Sequence, residues 1–136
     1  MSNKRILVID DEPNLCTLLQ HFLAQAGGYE VLTENLPSHA LSTARSFDPD
    51  LILLDVNMPG KDGGEVAREF RANAAFSNVP ILFLTSLVSS AEAGKREIKR
   101  GTQRFLAKPV NPEALLSVVA RMLKEACSPA CQEASP

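Results

Sequence analysis

The stretch LILLDVNMPGKDGG, residues 51–64, decides the fold and poses the chemical question. Its first four residues are all apolar, which is typical of a strand buried on both faces of a parallel sheet. The run ends on Asp55 and then breaks into proline, glycine and aspartate, which are turn residues. A carboxylate at the end of a core strand is either an ordinary strand-end residue or a group held there for its chemistry. The residues that lie beside Asp55 in the fold decide between these two interpretations.

Short apolar runs of this kind alternate along the chain with segments whose apolar residues have helical spacing. Each run followed by such a segment predicts a strand followed by a helix. The predicted strands cover residues 6–9, 29–33, 51–54, 80–84 and 105–107. The predicted helices begin at Pro13, Leu36, Glu65, Ser89 and Pro112. Five strands alternating with five helices predict an α/β fold, an open, doubly wound parallel sheet with five flanking helices.

Two of these helices carry more specific predictions. The first is expected to bury one apolar face at 3.6-residue spacing, made of Leu15, Leu18, Leu19, Phe22, Leu23 and Ala26. The fourth starts at a Ser-x-x-Glu capping box, Ser89 to Glu92. It contains Gly94 and only one large apolar residue, Ile98, so it should be the least firmly held helix.

Composition excludes several classes of protein. The 136 residues suffice for one domain, 45% of them are apolar and 22% charged, and the net charge of -2 does not favour coating nucleic acid. No apolar run approaches the roughly 20 residues that span a bilayer, and the amino terminus does not resemble a signal peptide. Three scattered cysteines do not make a disulfide framework. We therefore expect a cytoplasmic protein with one domain at 1–126 and a tail or linker at 127–136.

Polar residues follow four of the predicted strands. The first strand is followed by Asp10 and Asp11, the third by Asp55, the fourth by Thr85 and the fifth by Lys108. Ligands of open α/β sheets bind outside the carboxyl ends of the strands, so these side chains should meet.

The chemistry of such a meeting follows from charge. Three carboxylates close together repel one another, and a hard divalent cation and an ammonium group relieve that repulsion. Mg²⁺ prefers carboxylate and phosphate oxygens. A carboxylate placed beside it can attack phosphorus and form an acyl phosphate.

These residues stand in four motifs: ILVIDDEP at 6–13, LILLDVNMPGKDG at 51–63, ILFLTS at 81–86 and GTQRFLAKPV at 101–110. In this order and spacing, each after an apolar strand, the sequence resembles a receiver domain of a two-component response regulator over roughly residues 4–125. The resemblance implies a flavodoxin-like sheet with strand order 2-1-3-4-5.

The resemblance also implies roles for the site residues. Asp55 would be the phosphoacceptor, taking its phosphoryl group from a histidine kinase or a histidine phosphotransfer protein. Asp11 would bind Mg²⁺, or Mn²⁺ in its place, directly, and Asp10 would bind it through water. Asp55 and the backbone carbonyl of Asn57 would complete the metal ligands. Lys108 would pair with the phosphoryl group.

A switch is the second implication of the resemblance. Thr85 would swing toward the phosphoryl oxygen and Phe105 would turn inward. The surface of the fourth helix, fifth strand and fifth helix would then change and bind a downstream effector, or a second copy in a phosphorylation-dependent homodimer. The domain would be a signalling module and not an enzyme. It would bind neither nucleic acid nor membrane.

Two positions depart from the commoner pattern of the family. Gly64 stands where an apolar residue is frequent, and Arg104 stands where an acid is frequent. Arg104 is expected to join four other cations in a basic switching face: Lys95, Arg96, Lys99 and Arg100.

Other interpretations stay open at the level of sequence. Asp10 and Asp11 could simply cap the first helix, and Phe105 could be plain core. An aspartyl-phosphate phosphatase also uses aspartate and Mg²⁺, but here Asn57 stands where that chemistry needs a second acid. A flavin-binding module would need a Ser/Thr/Gly-rich loop where this chain has acids. A receiver that acts as an unphosphorylated binding module also stays open, although no residue that phosphorylation needs is missing.

Overall fold

The fold is known from a computed structural model that describes residues 4–56, 63–85, 97–100, 103–107 and 111–126. In chain order the elements are β1 (Arg5–Ile9), α1 (Pro13–Gly27), β2 (Glu30–Glu34), a short 3₁₀ helix (Pro37–His39), α2 (Ala40–Phe47), β3 (Leu51–Asp55), α3 (Gly63–Ala72), β4 (Ile81–Thr85), β5 (Glu97–Arg100), β6 (Gln103–Ala107) and α4 (Pro112–Ala126).

The sheet has the order β2-β1-β3-β4-β6-β5. Its first five strands in this order pair in parallel, which confirms the predicted order 2-1-3-4-5 for the parallel part of the sheet. Strand β2 lies at one edge, as its mixed polar sequence predicts.

Apolar side chains fill a layer on each face of the sheet, which confirms the doubly wound class. On one face, alternate strand residues such as Val8 and Leu53 pack with α1 and α4. On the other face, their sequence neighbours, such as Leu7 and Ile52, pack with α2 and α3. All four apolar residues of 6–9 and of 51–54 are fully buried, as the uninterrupted runs predict.

The prediction of a fourth helix is wrong for residues 97–100, the part of it that the structure describes. Residues Glu97–Arg100 form strand β5, which runs antiparallel to β6 with Ile98 opposite Phe105. A helix with one large apolar residue has almost no face to bury, and most helical stability comes from such packing. Pairing along β6 satisfies the backbone of the segment instead, and β-branched Ile98 suits a strand. The predicted start of this helix, Ser89 to Glu92, lies outside the described residues.

The ends of α1 and α4 carry residues that favour helix termini. Pro13 occupies the first turn of α1, and Gly28 ends that helix in the left-handed conformation with φ of 69°. Its N–H donates to the carbonyl of Ala24 over 3.1 Å. At the start of α4, the side-chain oxygen of Asn111 accepts a hydrogen bond from the N–H of Ala114 over 2.9 Å.

The predicted buried face of α1 is wrong at two positions. Leu18 is 66% exposed and Ala26 is also exposed, whereas the fully buried residues of this helix are Cys16, Leu19 and Leu23. Cysteine behaves as a small apolar residue, and including Cys16 turns the buried stripe away from Leu18. None of the described helices has the length and apolar character that a bilayer-spanning segment needs.

Leu23 and Leu18 of α1 give a matched test of this orientation. Leu23→Ala removes a fully buried side chain and should lower the free energy of unfolding by about 2–5 kcal/mol. Leu18→Ala removes an exposed side chain and should change it by less than about 0.5 kcal/mol. Urea unfolding followed by circular dichroism measures both. Equal losses in the two variants would show that the helix is turned differently.

Candidate functional site

The register of the parallel strands places the acidic residues side by side at one edge of the sheet. Ile9 pairs with Leu54, so Asp10 and Asp55 are the next residues of neighbouring strands. Asp55 in turn pairs with Leu84, the residue before Thr85. Asp10, Asp55 and Thr85 therefore follow apolar residues that the core fixes in place.

Three carboxylates meet at this edge, and we call Asp10, Asp11 and Asp55 the acidic triad. Each offers one carboxylate oxygen, and these three oxygens lie within 4.8 Å of one another. Asp10 is 0% and Asp55 2% exposed, whereas Asp11 is exposed to solvent. Burial weakens solvent screening, so the repulsion among the three charges is strong.

The donor set of the acidic triad fits a hard divalent cation. All three ligand atoms are carboxylate oxygens, and among the residues that the structure describes no sulfur or imidazole ligand belongs to the cluster. Mg²⁺ and Mn²⁺ favour such ligands over softer ones. A cation held by Asp10, Asp11 and Asp55 would replace repulsion by attraction at the end of β3.

Capping of the first helix does not explain the acidic pair. The N-cap residue of α1 is Glu12, and its side chain makes no capping hydrogen bond. The Oδ1 atom of Asp10 accepts a hydrogen bond from the N–H of Glu12 over 3.0 Å, which forms an Asx turn ahead of the helix. This turn fixes the direction of the Asp10 carboxylate and leaves Asp11 at the solvent side.

Gly63 packs closely against the backbone of Asp55 and Val56. The sequence analysis did not predict this role. The N–H of Gly63 donates to the carbonyl of Val56 over 3.0 Å. A Cβ atom added at Gly63 would overlap the backbone carbonyl oxygen of Asp55 and lie 2.9 Å from the Cα of Val56. Only glycine lets α3 begin this close to β3 without displacing the backbone of Asp55. A glycine at the first residue of a helix, directly after an Asp, was the available signal.

Thr85 and Phe105 lie on the neighbouring strands β4 and β6. Thr85 is the last residue of β4 and is 4% exposed. Phe105 is half-buried on β6, and its ring stacks on that of Phe83 with centroids 5.0 Å apart. In this conformation Phe105 contributes to the apolar layer that also contains α2 and α3.

Arg104 corrects the expectation of a basic switching face. Its side chain is only 12% exposed, and one guanidinium nitrogen lies 2.7 Å from Oε1 of Glu125. Arg104 therefore joins β6 to the last turn of α4 and is not a solvent-facing cation. Lys99 and Arg100 lie in β5, whereas Lys95 and Arg96 lie outside the described residues. Two predicted site residues, Asn57 and Lys108, also lie outside the described residues.

Comparisons with known proteins match most of the chain. The family model of the response regulator receiver domain covers residues 6–120. The chain is 37% identical over 123 residues to the alkaline phosphatase synthesis transcriptional regulatory protein PhoP of Bacillus subtilis, which covers 90% of this chain and 49% of that protein. It is 31% identical over 121 residues to the protein PilH of Pseudomonas aeruginosa, which covers 88% of this chain and 97% of PilH. The chain thus spans about half the length of PhoP and nearly all of PilH.

A solved structure agrees with the fold. The chemotaxis response regulator CheY4 of Vibrio cholerae superimposes with a TM-score of 0.74 at 33% identity, and the match covers 89% of this chain and 99% of that one. With its acidic triad at the carboxyl edge of a doubly wound sheet, the chain belongs to the family of response regulator receiver domains, the signalling domains of two-component systems.

Proposed function

We propose that Asp55 accepts a phosphoryl group from a phosphohistidine of a kinase or a phosphotransfer protein, in a reaction that requires Mg²⁺ or Mn²⁺. The observation that carries the proposal is the acidic triad, in which three carboxylate oxygens lie within 4.8 Å of one another around the end of β3. Membership of the receiver family supplies the donor class.

The transfer is a single displacement at phosphorus. A carboxylate oxygen of Asp55 forms the new P–O bond as the P–N bond of the phosphohistidine breaks, and the electron pair of that bond leaves with the imidazole. When bound, the cation supplies positive charge to the phosphoryl oxygens in the transition state. Asp10 and Asp11 would hold that cation, together with Asp55 and the carbonyl of Asn57. Lys108 would supply a second positive charge.

Asp55 suits the acceptor role because the fold fixes its backbone. It is the last residue of β3, whose four preceding side chains are fully buried. Gly63 closes on the same backbone from the other side. Positioning of this kind is a large part of catalysis in phosphoryl transfer.

The signal would pass from Asp55 through Thr85 to Phe105. Thr85 would donate its hydroxyl to the new phosphoryl group, and Phe105 would leave its present stacking on Phe83 and turn inward. The surface of β6, α4 and the segment before β5 would then bind an effector or a second copy of the chain. We propose a receiver domain at residues 1–126 and a tail or the start of a linker at 127–136. The protein would be cytoplasmic and would turn over no substrate of its own apart from slow loss of the phosphoryl group.

Phosphorylation in the absence of a kinase tests the acceptor directly. Incubation with acetyl phosphate and Mg²⁺ should add one phosphoryl group to the wild type, as measured by intact mass. The adduct should vanish in Asp55→Asn, which removes the nucleophilic carboxylate and keeps its shape, and in wild type treated with EDTA. An adduct that persists in Asp55→Asn would place the acceptor elsewhere, and an adduct insensitive to EDTA would remove the metal from the reaction.

Gly63→Ala tests whether backbone position controls the reaction. The added methyl must displace the backbone of Asp55 or Val56, and a misplacement of about 1 Å can cost about 100-fold in rate. We expect the rate of phosphorylation by acetyl phosphate to fall at least tenfold. The matched control is Gly28→Ala at the end of α1, where the left-handed φ of 69° costs about 1–2 kcal/mol of stability but nothing lies near the added methyl.

The control variant should be less stable and react at the wild-type rate. Wild-type reactivity in Gly63→Ala, measured on protein that circular dichroism shows to be folded, would contradict the positioning role of this glycine.

A further inference from the structure

Glu34, the last residue of β2, and Asn35, the residue after it, bind the two backbone groups of Asp10. The N–H of Asp10 donates to the carbonyl of Glu34 over 3.1 Å. The carbonyl of Asp10 accepts a hydrogen bond from Nδ2 of Asn35 over 2.9 Å. The first hydrogen bond continues the pairing of parallel strands, but the second comes from a side chain and depends on the residue type at position 35.

Cys16 contacts both the Asp10 carbonyl and the side chain of Asn35. Its Sγ lies 3.4 Å from the Asp10 carbonyl oxygen and 3.3 Å from Nδ2 of Asn35. Cys16 is 2% exposed and comes from the first turns of α1. The amide group of Asn35 thus bridges the end of β2, the end of β1 and the start of α1.

The Asp10 carbonyl matters because it belongs to the peptide group that joins Asp10 to Asp11. A peptide group is planar, so the direction of its carbonyl sets ψ of Asp10 and φ of Asp11 together. Those two angles decide how the two carboxylates diverge. Repulsion within the acidic triad favours rotation of this peptide group and separation of the charges, and the Asn35 hydrogen bond opposes that rotation.

Asparagine suits this position chemically. Its amide nitrogen carries two donors, which match one carbonyl acceptor and one sulfur acceptor. Its side chain is neutral at every pH, so it adds no charge to a site that already contains three carboxylates.

The loop that carries Asn35 is anchored independently of Asn35. The Oε1 of Glu34 accepts a hydrogen bond from the hydroxyl of Thr43 over 2.6 Å. Its Oε2 accepts one from the N–H of Leu36 over 3.0 Å. Replacing Asn35 should therefore remove its hydrogen bonds and leave the path of the loop unchanged.

We propose that Asn35 is a positioning residue for the metal site: through the Asp10 carbonyl it holds Asp10 and Asp11 in the arrangement that binds a divalent cation. The inference rests on the proposed function, since it concerns the cation of that reaction. Asn35 touches neither the cation nor the phosphoryl group and acts through the Asp10–Asp11 peptide group.

The test compares Asn35→Ala with Gln20→Ala. Gln20 makes the same kind of contact, because its Nε2 donates to the carbonyl of Val31 over 3.0 Å, but that carbonyl lies within β2 and not at the acidic triad. Mn²⁺ binding is titrated by electron paramagnetic resonance on the unphosphorylated chain, and urea unfolding is measured in EDTA. Loss of an outer contact to a metal site typically weakens metal binding by about 10- to 100-fold.

We expect the Kd for Mn²⁺ to rise about tenfold in Asn35→Ala and to stay within twofold of wild type in Gln20→Ala, with similar losses of stability in both. Asn35→Leu, which keeps the bulk and removes the donors, should behave as Asn35→Ala and provides a second variant in case the alanine variant does not fold.

Wild-type Mn²⁺ affinity in both folded Asn35 variants would overturn the inference and leave the proposed function standing, because the wild type would still bind the cation. An equal loss of affinity in Gln20→Ala would also overturn it, since the effect would then follow stability and not position. A wild-type chain that binds no Mn²⁺ would contradict the proposed function, and the inference with it.

Discussion

Mutual repulsion of three carboxylates is the constraint on which the rest of this structure depends. Asp10, Asp11 and Asp55 each bring an oxygen within 4.8 Å of the others, and two of the three are almost completely buried. Repulsion among these like charges favours their separation, and the surrounding structure opposes it. In the proposed function, a bound cation would relieve this repulsion.

The two apolar layers and a few specific contacts provide that support. Asp10 and Asp55 each come directly after four fully buried residues of β1 and β3. Neither strand end can therefore move without exposing part of the core. Gly63 fits against the carbonyl of Asp55, and Asn35 binds the carbonyl of Asp10. Both contacts act on backbone groups. The orientation of the triad therefore depends on peptide groups that the core, Gly63 and Asn35 hold in place.

The sequence was sufficient for features that depend on apolar runs and strand ends. Uninterrupted runs at 6–9 and 51–54 identified the central strands, and the residues after them identified the acidic triad. It failed where tertiary packing decides: Leu18 points outward because Cys16 shares the buried stripe of α1, and residues 97–100 pair with β6 as a strand. Arg104 was expected in solvent but pairs with Glu125, a residue distant in sequence.

The most direct test of the central claim is the free energy of unfolding with and without Mg²⁺, for the wild type and Asp55→Asn. If the triad is repulsive and binds the cation, Asp55→Asn should be more stable than wild type in EDTA. Mg²⁺ should stabilise the wild type, by about 2.7 kcal/mol at 100 times its Kd, and the variant by much less. A variant less stable than wild type in EDTA, together with a wild type that Mg²⁺ does not stabilise, would contradict the account.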